Sequence, residues 1–227
     1  MENQKEPGDI RVLVVDDEDF YRGLILRILD QAGFQHIDEA ADGAAAVSRL
    51  SSFKPDLLIL DLMMEPMNGL KLLKMLRIGM TDAPWDLPVI ILTGSREECL
   101  MGAALALDCD AFVRKDDGAD VIRERILRAV STPRKMNSTD SYGAVSIPVV
   151  NMPPPSADTR SEVKPPSASA VEVPIYELQT GAVLDQDLMS DEGYLLYAAD
   201  TALREVDVSR LQDLSEIIGL QTVMVRG

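Results

Sequence analysis

Short apolar runs recur along the first half of the chain, IRVLVV at 10–15, LLILD at 57–61, VIILT at 89–93 and AFVRK at 111–115, with His36–Ala40 as a further short strand between the first two. Runs of this kind, with little polar alternation, are the mark of strands covered on both faces of a parallel sheet. The segments between them carry helical patterning. Leu24, Ile25, Ile28 and Leu29 recur at helical spacing before Gly33, Asp42 stands as N-cap to GAAAVSRL, and LKLLKMLR at 70–77 is amphipathic. A further helix is expected to end near Leu107, and a last one runs from about Asp120 to Val130. Five strand–helix cycles predict an α/β fold, a doubly wound five-stranded parallel sheet with helices on both faces.

Beyond residue 131 the pattern changes. Residues 132–173 hold PPP at 153–155 and PP at 165–166 among Ser, Thr, Ala and Asn, the composition of a semi-extended linker. Apolar alternation resumes in VEVPIYEL, VLDQDLM and GYLLYAA. It is followed by a helical stripe of Val208, Leu211, Leu214, Ile217 and Ile218, a closing Gly219 and a last strand at TVMV. The expected organisation is therefore an α/β domain at 9–131, a linker at 132–173 and a small β-rich module with one helix at 174–227.

One edge of the expected sheet carries the chemistry of the first domain. In an open parallel sheet, functional groups gather beyond the carboxyl ends of the strands. Here those ends carry Asp16 with Asp17, then Asp61, Thr93 and Lys115. Three carboxylates brought together repel one another unless a cation neutralises them. A few carboxylates that leave room for water and a phosphate oxygen suit Mg²⁺ better than a calcium cage. A hydroxyl from Thr93 and an ammonium from Lys115 then suit the remaining oxygens of a phosphoryl group.

VLVVDDED, LLILDLMMEPMNGL, VIILTGS and AFVRK together resemble the receiver domain of bacterial two-component response regulators, a flavodoxin-like fold, over residues 9–130. The resemblance implies that Asp61 accepts a phosphoryl group from a histidine kinase, a phosphotransfer protein or a small phosphodonor. It implies Mg²⁺ ligation by Asp17, by Asp16 through a water, by Asp61 and by the Met63 backbone carbonyl. It also implies a switch in which Thr93 moves toward the phosphoryl group and Phe112 turns inward. Two departures stand out: Asp116 follows Lys115 where the family usually has proline, and Pro66 falls one place late while Gly69 keeps its spacing. Met63 and Ser95, two positions beyond Asp61 and Thr93, carry no general base, so self-dephosphorylation is expected to be slow.

The other candidates carry less chemistry. His36, the one histidine, is expected at the surface, and Cys99 and Cys109 as buried thiols. Trp85 is expected to anchor a surface loop. The C-terminal segment resembles a small β-rich module found beside HD-type cyclic-di-GMP phosphodiesterase domains. With a single histidine it lacks the ligands of such an enzyme, so no turnover enzyme domain is expected. It holds 10 acidic against 3 basic residues within a chain of net charge -16, which disfavours direct DNA binding. The expected output is a contact with a downstream protein or a second copy of the chain. The alternative is a regulatory or nucleotide-binding adaptor in cyclic-di-GMP signalling. No apolar run approaches the roughly 20 residues of a membrane span, and the polar N-terminus is unlike a signal peptide, so the cytoplasm is expected.

Overall fold

The computed structural model describes residues 6–94, 98–132, 134, 136–148, 167 and 169–227. They divide into two compact units, residues 1–95 with 106–145 and residues 96–105 with 146–227.

The first unit contains β1 (Arg11–Val15), α1 (Asp19–Gln31), β2 (His36–Ala40), α2 (Gly43–Phe53), β3 (Leu57–Asp61) and α3 (Gly69–Arg77). The helix α4 (Glu98–Ala106) follows β4 (Val89–Thr93) and clusters with the second unit. β5 (Ala111–Arg114), α5 (Ala119–Ser131) and α6 (Thr139–Gly143) complete the first. All five strands are parallel, in the order β2-β1-β3-β4-β5. The strand order reverses direction after β1, and this crevice is where open α/β sheets bind ligands.

Why these residues form this sheet is visible in their burial. β3 and β4 are buried at every position, as central strands covered on both faces must be, whereas the edge strand β2 is largely open. On one face Val12, Val14, Leu57, Ile59, Ile90, Leu92, Ala111 and Val113 pack with Ile25, Leu29, Ile122 and Ile126 of α1 and α5. Alternate residues of the same strands supply the other face. The expected punctuation is present: the Asp42 carboxylate accepts the Ala45 N–H at 2.8 Å, and Gly33 has φ +91°.

The expected linker begins at 132, but the first unit continues to Val145. Tyr142 of α6 is fully buried, its hydroxyl donating to Asp108 at 2.8 Å, and Lys74 donates to the carbonyls of Gly143 and Val145, each at 2.8 Å. The proline runs at 153–155 and 165–166 lie outside the described residues.

In the second unit β6 (Ala170–Pro174) pairs antiparallel with β9 (Thr222–Arg226), and β7 (Leu188–Met189) with β8 (Leu195–Tyr197). The helix α7 (Glu205–Ile218) buries the expected stripe from Val208 to Ile218 and ends at Gly219, φ +77°. Asp200 takes the left-handed conformation, φ +65°, that asparagine and aspartate tolerate best after glycine. Within this unit the Glu98 carboxylate of α4 accepts the Glu192 N–H at 3.0 Å. A Cβ on Gly102 would lie 2.4 Å from the Leu195 carbonyl oxygen, so only glycine permits this approach. No helix among the described residues is long and apolar enough to cross a membrane.

Candidate functional site

The register of the sheet brings the expected site together. Val15 pairs with Leu60, and Asp61 pairs with Leu92, so Asp16, Asp61 and Thr93 reach the same edge. Lys115 follows β5, and its N–H is held by the Thr93 carbonyl at 2.8 Å. Asp16, Asp61, Thr93 and Lys115 are all buried, while Asp17 is exposed at the mouth.

Lys115 sits at the centre of the carboxylates. Its Nζ lies 2.9 Å from Asp16 Oδ2, 3.1 Å from Glu18 Oε1 and 3.2 Å from Asp61 Oδ2. Burial works against its charge, but the close approach of the Asp16 carboxylate and the charge of Asp61 outweigh this and hold the ammonium protonated well above its usual range. Burial pushes the Asp61 carboxyl up to about 7; Lys115 opposes that rise and Asp16 adds to it.

Asp16, Asp17 and Asp61 each bring one oxygen within 4.8 Å of the others. Asp16 Oδ1 accepts the Glu18 N–H at 2.8 Å, whereas its buried Oδ2 faces Lys115 without an aligned hydrogen bond. One Asp17 oxygen accepts the Glu65 N–H at 3.3 Å. Three carboxylates against one ammonium leave excess negative charge, so the donor set fits a hard divalent cation such as Mg²⁺. Met63 contributes its N–H to the Asp61 carboxylate, and its side chain is exposed.

That charge excess gives a measurable expectation. Mg²⁺ at about ten times its dissociation constant should stabilise the fold by about 1.4 kcal/mol relative to chelator, and Asp17→Asn should remove most of that gain. Coincident melts with Mg²⁺ and with chelator would remove support for the metal site.

The loops around the site have local causes. Gly69 opens α3 so close to β3 that a Cβ there would lie 2.0 Å from the Asp61 carbonyl oxygen. This explains why glycine keeps its place although Pro66 has shifted. The cis peptide among the described residues joins Glu65 and Pro66, and the Lys115–Asp116 bond is not cis. After Lys115 the chain is closed by Asp117, whose N–H donates to the Arg114 carbonyl at 3.0 Å. Its carboxylate accepts the Arg114 N–H and Arg125 Nη1, each at 2.9 Å. Arg125 also donates to the Phe112 carbonyl at 2.7 Å, and Phe112 is fully buried.

Three features escape the sequence reading. Tyr21 lies with its ring centroid 4.7 Å from Lys115 Nζ, signalled only by an aromatic in the first turn after the acid pair. Arg77 is fully buried, and its signal was its place on the stripe of Leu70 and Leu73. Cys109 is buried as expected, but Cys99 is only half-buried. His36 is exposed. Ser95 lies outside the described residues.

Comparison with known proteins follows the same outline. The chain is 31% identical over 121 residues to the chemotaxis protein CheY of Bacillus subtilis, covering 53% of this chain and 98% of that one. It is 29% identical over 178 residues to a protein-glutamate methylesterase/protein-glutamine glutaminase of Treponema denticola, covering 69% of this chain and 46% of that one. It therefore spans less than half of that relative. It is also 27% identical over 219 residues to the alkaline phosphatase synthesis transcriptional regulatory protein PhoP of Bacillus subtilis, covering 91% and 88%. A solved structure from Chloroflexus aurantiacus matches with TM-score 0.50 at 23% identity, over 54% of this chain and 98% of that one, a likeness of fold alone. The profile of the response regulator receiver domain matches residues 12–127, and with the acid cluster, threonine and lysine at one sheet edge, this chain belongs to the response regulator receiver family.

Proposed function

We propose that Asp61 is the phosphoacceptor of a two-component phosphorelay and that its phosphorylation controls a protein contact made by the C-terminal module, residues 174–227. The observation that carries the acceptor reading is the placement of the Lys115 ammonium between Asp16 and Asp61 beside a third carboxylate at the sheet's switch point. A carboxylate oxygen of Asp61 attacks phosphorus, the N–P bond of a kinase or phosphotransfer phosphohistidine breaks, and the imidazole leaves with the bond's electron pair. Asp16, Asp17, Asp61 and the Met63 carbonyl would hold Mg²⁺, which supplies charge neutralisation to the transferring oxygens. Lys115 and the Thr93 hydroxyl bind the phosphoryl oxygens, and Thr93 with Phe112 forms the switch.

For the output, α4 lies within the family-matched residues yet packs in the same unit as the module, which supports a contact sensitive to phosphorylation. The module's basic side chains are occupied. Arg204 and Arg210 both bind Asp207, at 2.6 and 2.9 Å, and this with its acidity argues against DNA as partner. A nucleotide-binding adaptor in cyclic-di-GMP signalling is the less favoured reading. The charged residues lining the module's cavity of about 280 Å³ are Glu172 and Asp187, which repel phosphate. No turnover reaction is assigned, and the proposed site of action is the cytoplasm.

The test is incubation of the full chain with phosphoramidate and Mg²⁺. One hydroxylamine-sensitive phosphoryl group should appear and persist for many minutes, because no acid, amide or base at Met63 orients an attacking water. Failure to label would sink the acceptor reading, and a half-life of seconds would contradict the slow hydrolysis. Light scattering before and after labelling, with and without random duplex DNA at physiological salt, then tests the output. Tight DNA binding would defeat the protein-contact reading.

A further inference from the structure

Lys115 Nζ donates to Glu18 and Asp61 and pairs in charge with Asp16, and the Tyr21 ring lies 4.7 Å from the same nitrogen. An ammonium over an aromatic face is held by the ring quadrupole. Glu18 is the N-cap residue of α1 and Tyr21 stands three residues on, so both project from one side of its first turn. That turn is itself fixed: Arg22 donates to the Asp16 carbonyl at 2.9 Å, to Glu39 at 2.7 Å and to Asp19 at 2.6 Å. The lysine stem runs past Gly94, where an added Cβ would lie 3.4 Å from Lys115 Cδ.

We infer that Tyr21 is a positioning residue for phosphoryl transfer, holding the Lys115 ammonium, together with Glu18, where it meets the phosphoryl oxygens. The inference rests on the phosphoacceptor reading above. In that reading Asp16 and Asp61 turn to the cation and the phosphoryl group, and so give up the ammonium when it is needed. Tyr21 and Glu18 belong to neither ligand set and retain their hold. The restraint that the family usually has in a proline after the lysine is absent here, where Asp116 follows. A side-on restraint from α1 takes its place.

The experiment uses the full chain with beryllofluoride and Mg²⁺ as a phosphoryl mimic, titrated by fluorine NMR, in Tyr21→Phe and Tyr21→Leu, each also combined with Lys115→Ala. Tyr21→Leu should weaken beryllofluoride about 3- to 10-fold, and Tyr21→Phe, which keeps the ring, should stay within about twofold. With Lys115→Ala present, Tyr21→Leu should cost nothing further. The ring current should also displace the Lys115 ε-methylene proton resonance in wild type and Tyr21→Phe, and the displacement should vanish in Tyr21→Leu. Equal losses in the Phe and Leu variants, or an undiminished Leu effect without the lysine, would overturn the positioning role. Absence of beryllofluoride uptake by the wild-type chain would instead overturn the acceptor reading beneath it.

Discussion

Asp61→Asn should lower phosphorylation by phosphoramidate about a thousandfold or more, roughly 4 kcal/mol of transition-state stabilisation, because it removes the proposed nucleophile and leaves its surroundings in place. The amide can still accept a hydrogen bond from Lys115, so loss of labelling reports chemistry and not collapse of the pocket. Lys115→Ala should fall less, about a hundredfold, since it removes one electrostatic partner of the phosphoryl oxygens while the carboxylate remains. The two variants should also separate in stability. Burial pushes the Asp61 carboxyl up to about 7, far above its unfolded range, so in chelator the wild-type fold loses stability as pH rises from the unfolded carboxyl range to about 7, and the loss is complete above that value. Asp61→Asn carries no such charge and should melt higher than wild type above about pH 7. Lys115→Ala strips the ammonium from three carboxylates and should melt lower. Undiminished labelling of Asp61→Asn would move the acceptor elsewhere.

The central sheet and the acid cluster were legible because each rests on a local signal. Buried parallel strands read as continuous apolar runs, and a strand ending in a carboxylate fixes where that carboxylate goes once the order of strands is known. Asp42 and Gly33 were legible for the same reason, since capping depends on a residue's own backbone conformation. Tyr21 was not, because its contact to Lys115 joins α1 to the loop after β5 and depends on how deep the lysine stem reaches. The extent of the first unit was missed for a related reason. Residues 132–148 carry few large apolar side chains, and their attachment is made by polar groups, including Asn137 Nδ2 to Asp108 at 2.8 Å and the tyrosine hydroxyl to the same carboxylate. Hydrophobic periodicity does not register such contacts.

Arg77→Ala should destabilise the first unit by about 3 to 5 kcal/mol, a large part of the roughly 5 to 15 kcal/mol that holds a domain folded. The guanidinium is fully buried and donates to four carbonyls: Leu107 at 2.9 Å, Trp85 at 2.8 Å, Leu87 at 2.9 Å and Asp108 at 3.0 Å. Burial and the nearby Arg134 lower its pKa to about 10, with Asp110 opposing, so it remains charged at neutral pH. Asp108 takes a left-handed conformation at φ +51°, which aspartate tolerates better than most residues, and several partners fix it there. Its carbonyl is bound by Arg77, and its carboxylate by Tyr142 and Asn137. Asp110 beside it accepts the Val89 N–H at 2.7 Å and pairs with Arg134 at 2.6 Å, tying the start of β4 to the segment beyond α5. Removing Arg77 therefore orphans several buried carbonyls and loosens the turn at Asp108, and a larger apolar residue such as methionine would fill the volume without satisfying them. Tyr142→Phe loses the hydrogen bond to Asp108 and the one accepted from the Asn137 N–H, and should cost about 1 to 3 kcal/mol. A chain ending at Ser131 loses Arg134, Asn137 and Tyr142 together and should melt well below one ending at Pro148, although both keep all five strands and the proposed phosphoacceptor. Equal melting of the two truncated chains would show that the post-α5 segment contributes no stability, and an Arg77→Ala variant within about 1 kcal/mol of wild type would show that the buried guanidinium is not what holds this edge of the sheet together.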